Sequence, residues 1–194
     1  MPIHRLLLSG VFATAVLAFA SATVPASAQA NTAAASLANA LQNQALVGSA
    51  RLRVWGFDVY DARLFAGPGF ETARFAEQPL ALELSYLRNL KGADIAARSL
   101  DEMRNLEPIA PAQADAWLAS LRGLFPDVKK GDRITGVHQP GRGAVFYLND
   151  QRLGELADPR FSRLFFGIWL SPNTSQPAMR ETLLQGLAPV ARTP

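Results

Sequence analysis

Between Leu80 and Arg88 the chain alternates without a fault: Leu80, Leu82, Leu84 and Tyr86 fall on one side, Ala81, Glu83 and Ser85 on the other. A period of two residues is that of a β-strand with one buried face. It obliges the rest of the chain to supply partner strands at the edges and a cover for the apolar side. At Gly92 the period changes. Ile95, Leu100, Met103 and Leu106 recur at spacings of three to five, which predicts a helix over Gly92–Leu106, ended by Pro108 and Pro111.

The other segments follow the same logic. Leu46 to Trp55 and Phe57 to Ala66 are rich in β-branched and aromatic residues. With Gly56 between them they read as two strands, or one long bulged strand. Gly67-Pro68-Gly69 is a loop. Ala112 to Phe125 is a second helix, its apolar side carried by Trp117, Leu118, Leu121 and Leu124. Lys130-Gly131-Asp132 turns the chain into a strand over Arg133 to Gln139. Pro140 to Gly143 and Asn149-Asp150 are turns that bound the strands Ala144 to Leu148 and Arg152 to Leu156, a three-strand meander. Asp158-Pro159 opens a helix, with Phe161, Leu164, Phe165, Ile168 and Trp169 at helical spacing until Ser171-Pro172-Asn173. Gln176 to Leu187 is a last helix. Strands early and in the middle, with helices between and after, give an α+β plan: a mostly antiparallel sheet covered on one face by a layer of helices.

Residues 1–30 read as a secretory signal peptide. His4 and Arg5 form a basic start, Leu6 to Ala20 an apolar stretch, and Ala26-Ser27-Ala28-Gln29-Ala30 a run of small residues suited to cleavage. Cleavage is expected after Ala30, with Ala28 as second choice. The apolar stretch is short for a membrane anchor, the alternative. The expectation is therefore a periplasmic protein without access to cytoplasmic cofactor pools. Residues 31–45 read as a linker or short helix, and 46–190 as one domain. No cysteine is present among the 194 residues, so packing alone must hold the fold. The formal net charge of +3 loses one unit with Arg5. The basic residues are spread rather than blocked, which argues against a nucleic-acid partner, and no second apolar run reaches the length of a membrane span.

Residues able to do chemistry are few. His138 is the single histidine beyond the leader, just before a Pro-Gly turn, and is expected to face solvent at a strand end. Without a second histidine or a cysteine, no metal site is expected. Ser85, Ser99, Ser120 and Ser162 lack a nucleophile-elbow motif. Asp58 and Asp61 fall on opposite strand faces by parity, and Asp101 and Glu102 on different sides of a helix. No glycine-rich phosphate loop is present, Gly141-Arg142-Gly143 being a hairpin turn, and no cofactor is expected. Two features stand out. Arg88 extends the apolar stripe that ends in Tyr86, and a cation there needs a partner: an acidic ligand, an internal carboxylate or a helix end. Arg51 and Arg53, two apart on one strand face, either hold an anion jointly or form a solvated face.

At these residues the chain resembles the chalcone isomerase-like proteins of bacterial exported type. The likeness rests on the order and spacing of Leu46 to Ala50, Val59 to Phe65, Leu84 to Arg88, Lys130-Gly131-Asp132, Gly143 to Asn149 and Ile168-Trp169-Leu170, and covers about residues 45–187. It implies a large antiparallel sheet, a helical layer against it and a ligand cleft between. The true isomerases of the family hold their substrate with an early-strand arginine, a threonine, a tyrosine and a late hydroxyl. Carried over by motif, those places fall at Leu52, Trp55, near Ile95 and near Ile168. The resemblance thus implies a cleft with no catalytic residue in place. The expectation is a non-catalytic protein binding a small apolar or amphipathic ligand such as a fatty acid, with Arg51, Arg53, Tyr60, Tyr86 and Arg88 as candidate ligand-binding residues. The alternatives are a structural or partner-binding protein with a self-filled cleft, no particular protein partner being indicated, and third an isomerase.

Overall fold

The computed structural model describes residues 37–187, so the expected signal peptide lies outside the described residues. Six strands form one antiparallel sheet: β1 (Ala45–Val54), β2 (Phe57–Ala66), β3 (Leu80–Tyr86), β4 (Arg133–Gln139), β5 (Gly143–Leu148) and β6 (Gln151–Leu156). Their order in the sheet is their order in the chain. The strand pair around Gly56 is a hairpin, and the meander after Gly131 has the expected turns.

Four helices carry the remaining apolar periodicity: α1 (Gly92–Leu106), α2 (Pro111–Leu124), α3 (Pro159–Leu170) and α4 (Pro177–Leu183). Proline opens α2, α3 and α4, where a missing N–H costs nothing. Asp158 caps α3 by accepting from the Arg160 and Phe161 N–H groups, and its second oxygen accepts from Trp117 Nε1 at 2.9 Å, which ties α2 to α3. A 3₁₀ turn over Thr72–Glu77, with no periodic signal in the sequence, sits between β2 and β3.

The helices bury one face of the sheet. Leu80, Leu82, Leu84 and Tyr86 of β3 point into that core with Ala62 and Leu64 of β2, Phe146 of β5, and Phe161, Phe165, Phe166 and Trp169 of α3. The aromatic rings meet mostly edge to face, the favoured arrangement for their quadrupoles; Phe146 and Phe165 lie 5.1 Å apart at 83°. Gly136 leaves room for this cluster, since a Cβ there would come within 3.2 Å of Phe166. A smaller core lies on the reverse face, where the helical stretch at 37–41 brings Leu37 against Ala81, Val137, Val145 and Tyr147.

His138 corrects an expectation. It is 2% exposed, not solvent-facing. By strand parity it shares the inward face of β4 with Ile134 and Gly136. Its Nε2 lies 2.9 Å from the Ala76 carbonyl, which requires N–H there, and its Nδ1 lies 2.6 Å from Ser162 Oγ, a hydroxyl that also donates to the Gly143 carbonyl at 2.9 Å. The 3₁₀ turn, β4 and α3 are pinned together by this one imidazole. Burial lowers its pKa below the ordinary 6.5, partly opposed by the Ala76 bond.

Candidate functional site

Between the sheet and the helices lies a cavity of about 570 Å³. The sheet wall is Leu52 and Val54 of β1, Val59 and Tyr60 of β2, Leu84 and Tyr86 of β3 and Ile134 of β4. The opposite wall is Phe125 with Phe165, Ile168 and Trp169 of α3. Helix α1 contributes Asp94, Ile95, Arg98, Ser99 and Glu102, residues that share one side of the helix by their spacing. Leu52, Trp55, Ile95 and Ile168, which the resemblance marks as catalytic places, all line this one cavity.

The polar groups inside are sparse and mostly committed. Glu102 is buried; it receives Arg98 and, at 3.3 Å, Asn105. Ser99 donates back to the Ile95 carbonyl at 2.8 Å. Trp169 Nε1 donates to the Tyr60 hydroxyl at 3.0 Å, and Tyr60 sits directly opposite Tyr86 across the β2–β3 ladder, ring centroids 6.1 Å apart. Tyr86 is 2% exposed, and its hydroxyl has no hydrogen-bond partner among the described residues. Burial pushes the Tyr60 phenol up to about 12, against the pull of the Trp169 bond, and raises Tyr86 further. Both remain neutral O–H donors throughout the physiological range. The cavity therefore offers an apolar body and phenolic donors facing inward.

Two of the five candidate residues, Tyr60 and Tyr86, meet here. The three arginines do not line the cavity. Strand β3 ends at Tyr86, where the Tyr86 N–H bonds Asp132 and the Leu87 N–H bonds Val59; Arg88 is past the alternation that placed it on the apolar stripe. It is exposed, its guanidinium 5.7 Å from the Phe57 ring centroid. Arg51 and Arg53 share a strand face as read, but it is the reverse face. Arg51 grips Asp61 through Nε at 2.6 Å and reaches Asp58 at 2.9 Å, and Arg53 bonds Asp58 at 2.6 Å.

That pairing also corrects the parity of the two aspartates. A bulge places Leu52 opposite Tyr60 but Arg53 opposite Asp58, so Val59 is an extra residue. Asp58 and Asp61 thereby come to the same side, while Val59 and Tyr60 both turn to the cavity. Farther along the reverse face Glu83 is buried between Arg63 and Arg133, the latter at 3.4 Å. Arg98 and Glu102 were missed as site residues, although their spacing from Ile95 on a helix carried the signal.

The model of the family described as chalcone isomerase-like matches residues 26–185. The chain belongs to that family. The chain is similar to an uncharacterized protein of Haemophilus influenzae, 33% identical over 131 residues. That stretch is 67% of this chain and 63% of the relative, so the chain spans less than two thirds of the relative's length. Among solved structures it is similar to a fatty-acid binding protein of Arabidopsis thaliana, with a TM-score of 0.58 at 14% identity over 73% of this chain and 87% of the other. At that identity the likeness establishes the shared chalcone isomerase-like fold.

Proposed function

We propose that this chalcone isomerase-like protein is a binding protein for a fatty acid or a closely similar amphipathic molecule, acting in the periplasm without catalysis. The observation that carries the reading is the Tyr86 hydroxyl, on a residue lining a cavity of about 570 Å³ and without an acceptor among the described residues. A ligand with an alkyl body and an oxygen at one end satisfies both demands. The volume falls in the range of small-molecule sites, about 300–1,000 Å³. The structural neighbour that binds fatty acids supports the ligand class. Arg98 at the cavity wall, paired with Glu102, offers a carboxylate a second contact. Leu52, Ile95 and Ile168 in the isomerases' catalytic places support binding without isomerisation, since none carries a side-chain donor for a developing oxyanion. The small residues around Ala28 and Ala30 support export.

Calorimetric titration with palmitate tests the reading. Saturable binding is expected. Tyr86→Phe should weaken it by about 1.5–3 kcal/mol, the range for a hydrogen bond to a charged group. Because the hydroxyl bonds nothing among the described residues, thermal stability should stay near that of the wild type. Absence of binding, or binding indifferent to Tyr86→Phe, refutes it. A flavanone-forming rate well above the spontaneous one, lost on mutation of a cavity residue, would overturn the non-catalytic part.

A further inference from the structure

The tip of the β1–β2 hairpin carries an expensive residue in an exposed place. Val54 pairs with Phe57, and the two residues between them, Trp55 and Gly56, have φ of 49° and 82°. Positive φ at both centres is the pattern of a type I′ turn, which Asn-Gly or Asp-Gly fills without strain. A bulky aromatic is a poor occupant of the first position. Yet Trp55 is there and 95% exposed, with Phe57 at 63% and Val54 at 41% beside it. Neither turn formation nor core packing accounts for three apolar side chains held out in water.

The surroundings of the tip are cationic. In the antiparallel sheet the start of β2, the end of β3 and the start of β4 lie at one end, so the loops at 87–91 and 128–132 flank the hairpin. The Lys130 N–H bonds the Asn89 side chain at 3.0 Å, which joins the two loops, and Arg88 stacks over Phe57. Other basic residues at this end are spent: Arg53 on Asp58, Lys91 on Asp127 and Arg133 on Asp150. Arg88, Lys129 and Lys130 are exposed and have no carboxylate within 4 Å among the described residues. The Asp132 carboxylate nearby is occupied by the Lys129 N–H and the Asn149 amide.

We infer that this end of the molecule docks on an anionic phospholipid surface, Trp55, Phe57 and Val54 entering the interface while Arg88, Lys129 and Lys130 meet the headgroup phosphates. Tryptophan favours the interface because its ring is apolar and its N–H polar. The cations complement the negative surface. Val54 and Trp55 also line the cavity, so a docked tip places the cavity mouth against the lipid. Docking stands apart from the identity of the cavity's ligand, and the two are measured separately.

Flotation with vesicles tests it, comparing an equal mixture of phosphatidylglycerol and phosphatidylcholine with phosphatidylcholine alone. The protein should float with the mixture and far less with the neutral vesicles, and added salt should release it. Trp117 and Trp169 are buried, so a blue shift of emission on adding vesicles reads Trp55. Trp55→Asn restores Asn-Gly to the turn; it should abolish flotation while raising the melting temperature, so misfolding cannot explain the loss. Lys129→Gln and Lys130→Gln should each lower partitioning roughly fivefold and leave palmitate titration as it was. Wild-type protein that stays in solution with both vesicles refutes docking whatever palmitate does. Flotation indifferent to Trp55→Asn refutes it as well. A Trp55-dependent dimer in sedimentation, with no vesicle binding, would assign the tip to a second copy and overturn the proposal.

Discussion

The Trp169 indole donates to the Tyr60 hydroxyl at 3.0 Å, joining α3 to β2 across 109 residues of chain. The bond forms part of the cavity wall and holds its two sides at a set separation. Tyr60→Phe leaves the indole N–H facing an apolar space. The expected cost is about 1–3 kcal/mol, the penalty for an unsatisfied buried donor. Trp169→Phe should cost more because it also removes packing. In urea unfolding the double variant should be less destabilised than the two single variants together; strict additivity would show that the bond does not form in solution.

Acid should weaken this protein through His138. Its folded pKa lies below the ordinary 6.5 because burial disfavours the imidazolium. The folded state therefore binds fewer protons than the unfolded state in that window. Stability is fully present above about pH 6.5 and declines as pH falls from there toward the folded pKa. His138→Gln should flatten this part of the profile, though it lowers stability overall. Urea midpoints across the window, equal in slope for both proteins, would exclude the mechanism.

Gly92 begins α1 beneath the cavity and tolerates no side chain. A Cβ there would fall on the Phe125 carbonyl oxygen, while the Gly92 N–H is held by Asp127 at 3.0 Å. Gly92→Ala should destabilise by about 1–3 kcal/mol through forced backbone displacement. Because the clash shifts Phe125, a cavity wall residue, palmitate affinity should fall in parallel. Melts and titrations on one preparation check both.

Processing is read by mass. Protein from a periplasmic extract should begin at Asn31 or, as second choice, Gln29. An uncleaved N-terminus in the membrane fraction would refute export with release.

Elements with one strong period were legible in the sequence. The alternation from Leu80 predicts β3, and the helix over Gly92–Leu106 matches α1 to the residue. Tyr60 and Tyr86 were legible as inward-facing residues, since parity places Tyr60 with Ala62 and Leu64 and Tyr86 with Leu82 and Leu84. Arg88's place on the apolar stripe was misread because alternation was extended past the end of β3 at Tyr86. Asp58 failed because a bulge at Val59 breaks parity, and a bulge leaves no mark in composition. The meeting of His138 with Ser162 needs β4 packed on α3, a long-range fact that neither residue's neighbours encode. Arg98 and Glu102 were readable in principle, since helical spacing from Ile95 puts them on its side.

The sheet's strand order has a consequence for how the molecule closes. Each strand pairs with the one made just before it, so the sheet can be laid down in a single direction from β1, and no later strand has to be inserted between earlier ones. The first edge, however, waits for the end of the chain. Helix α4 packs on β1, with Gly48 pressed to the Leu183 carbonyl and Gly186 to that of Val47. Until those last residues arrive, the side chains of β1 lack their cover. Nascent protein stopped short of Leu183 lacks that cover, and an uncovered strand border is the kind of surface with which other chains pair.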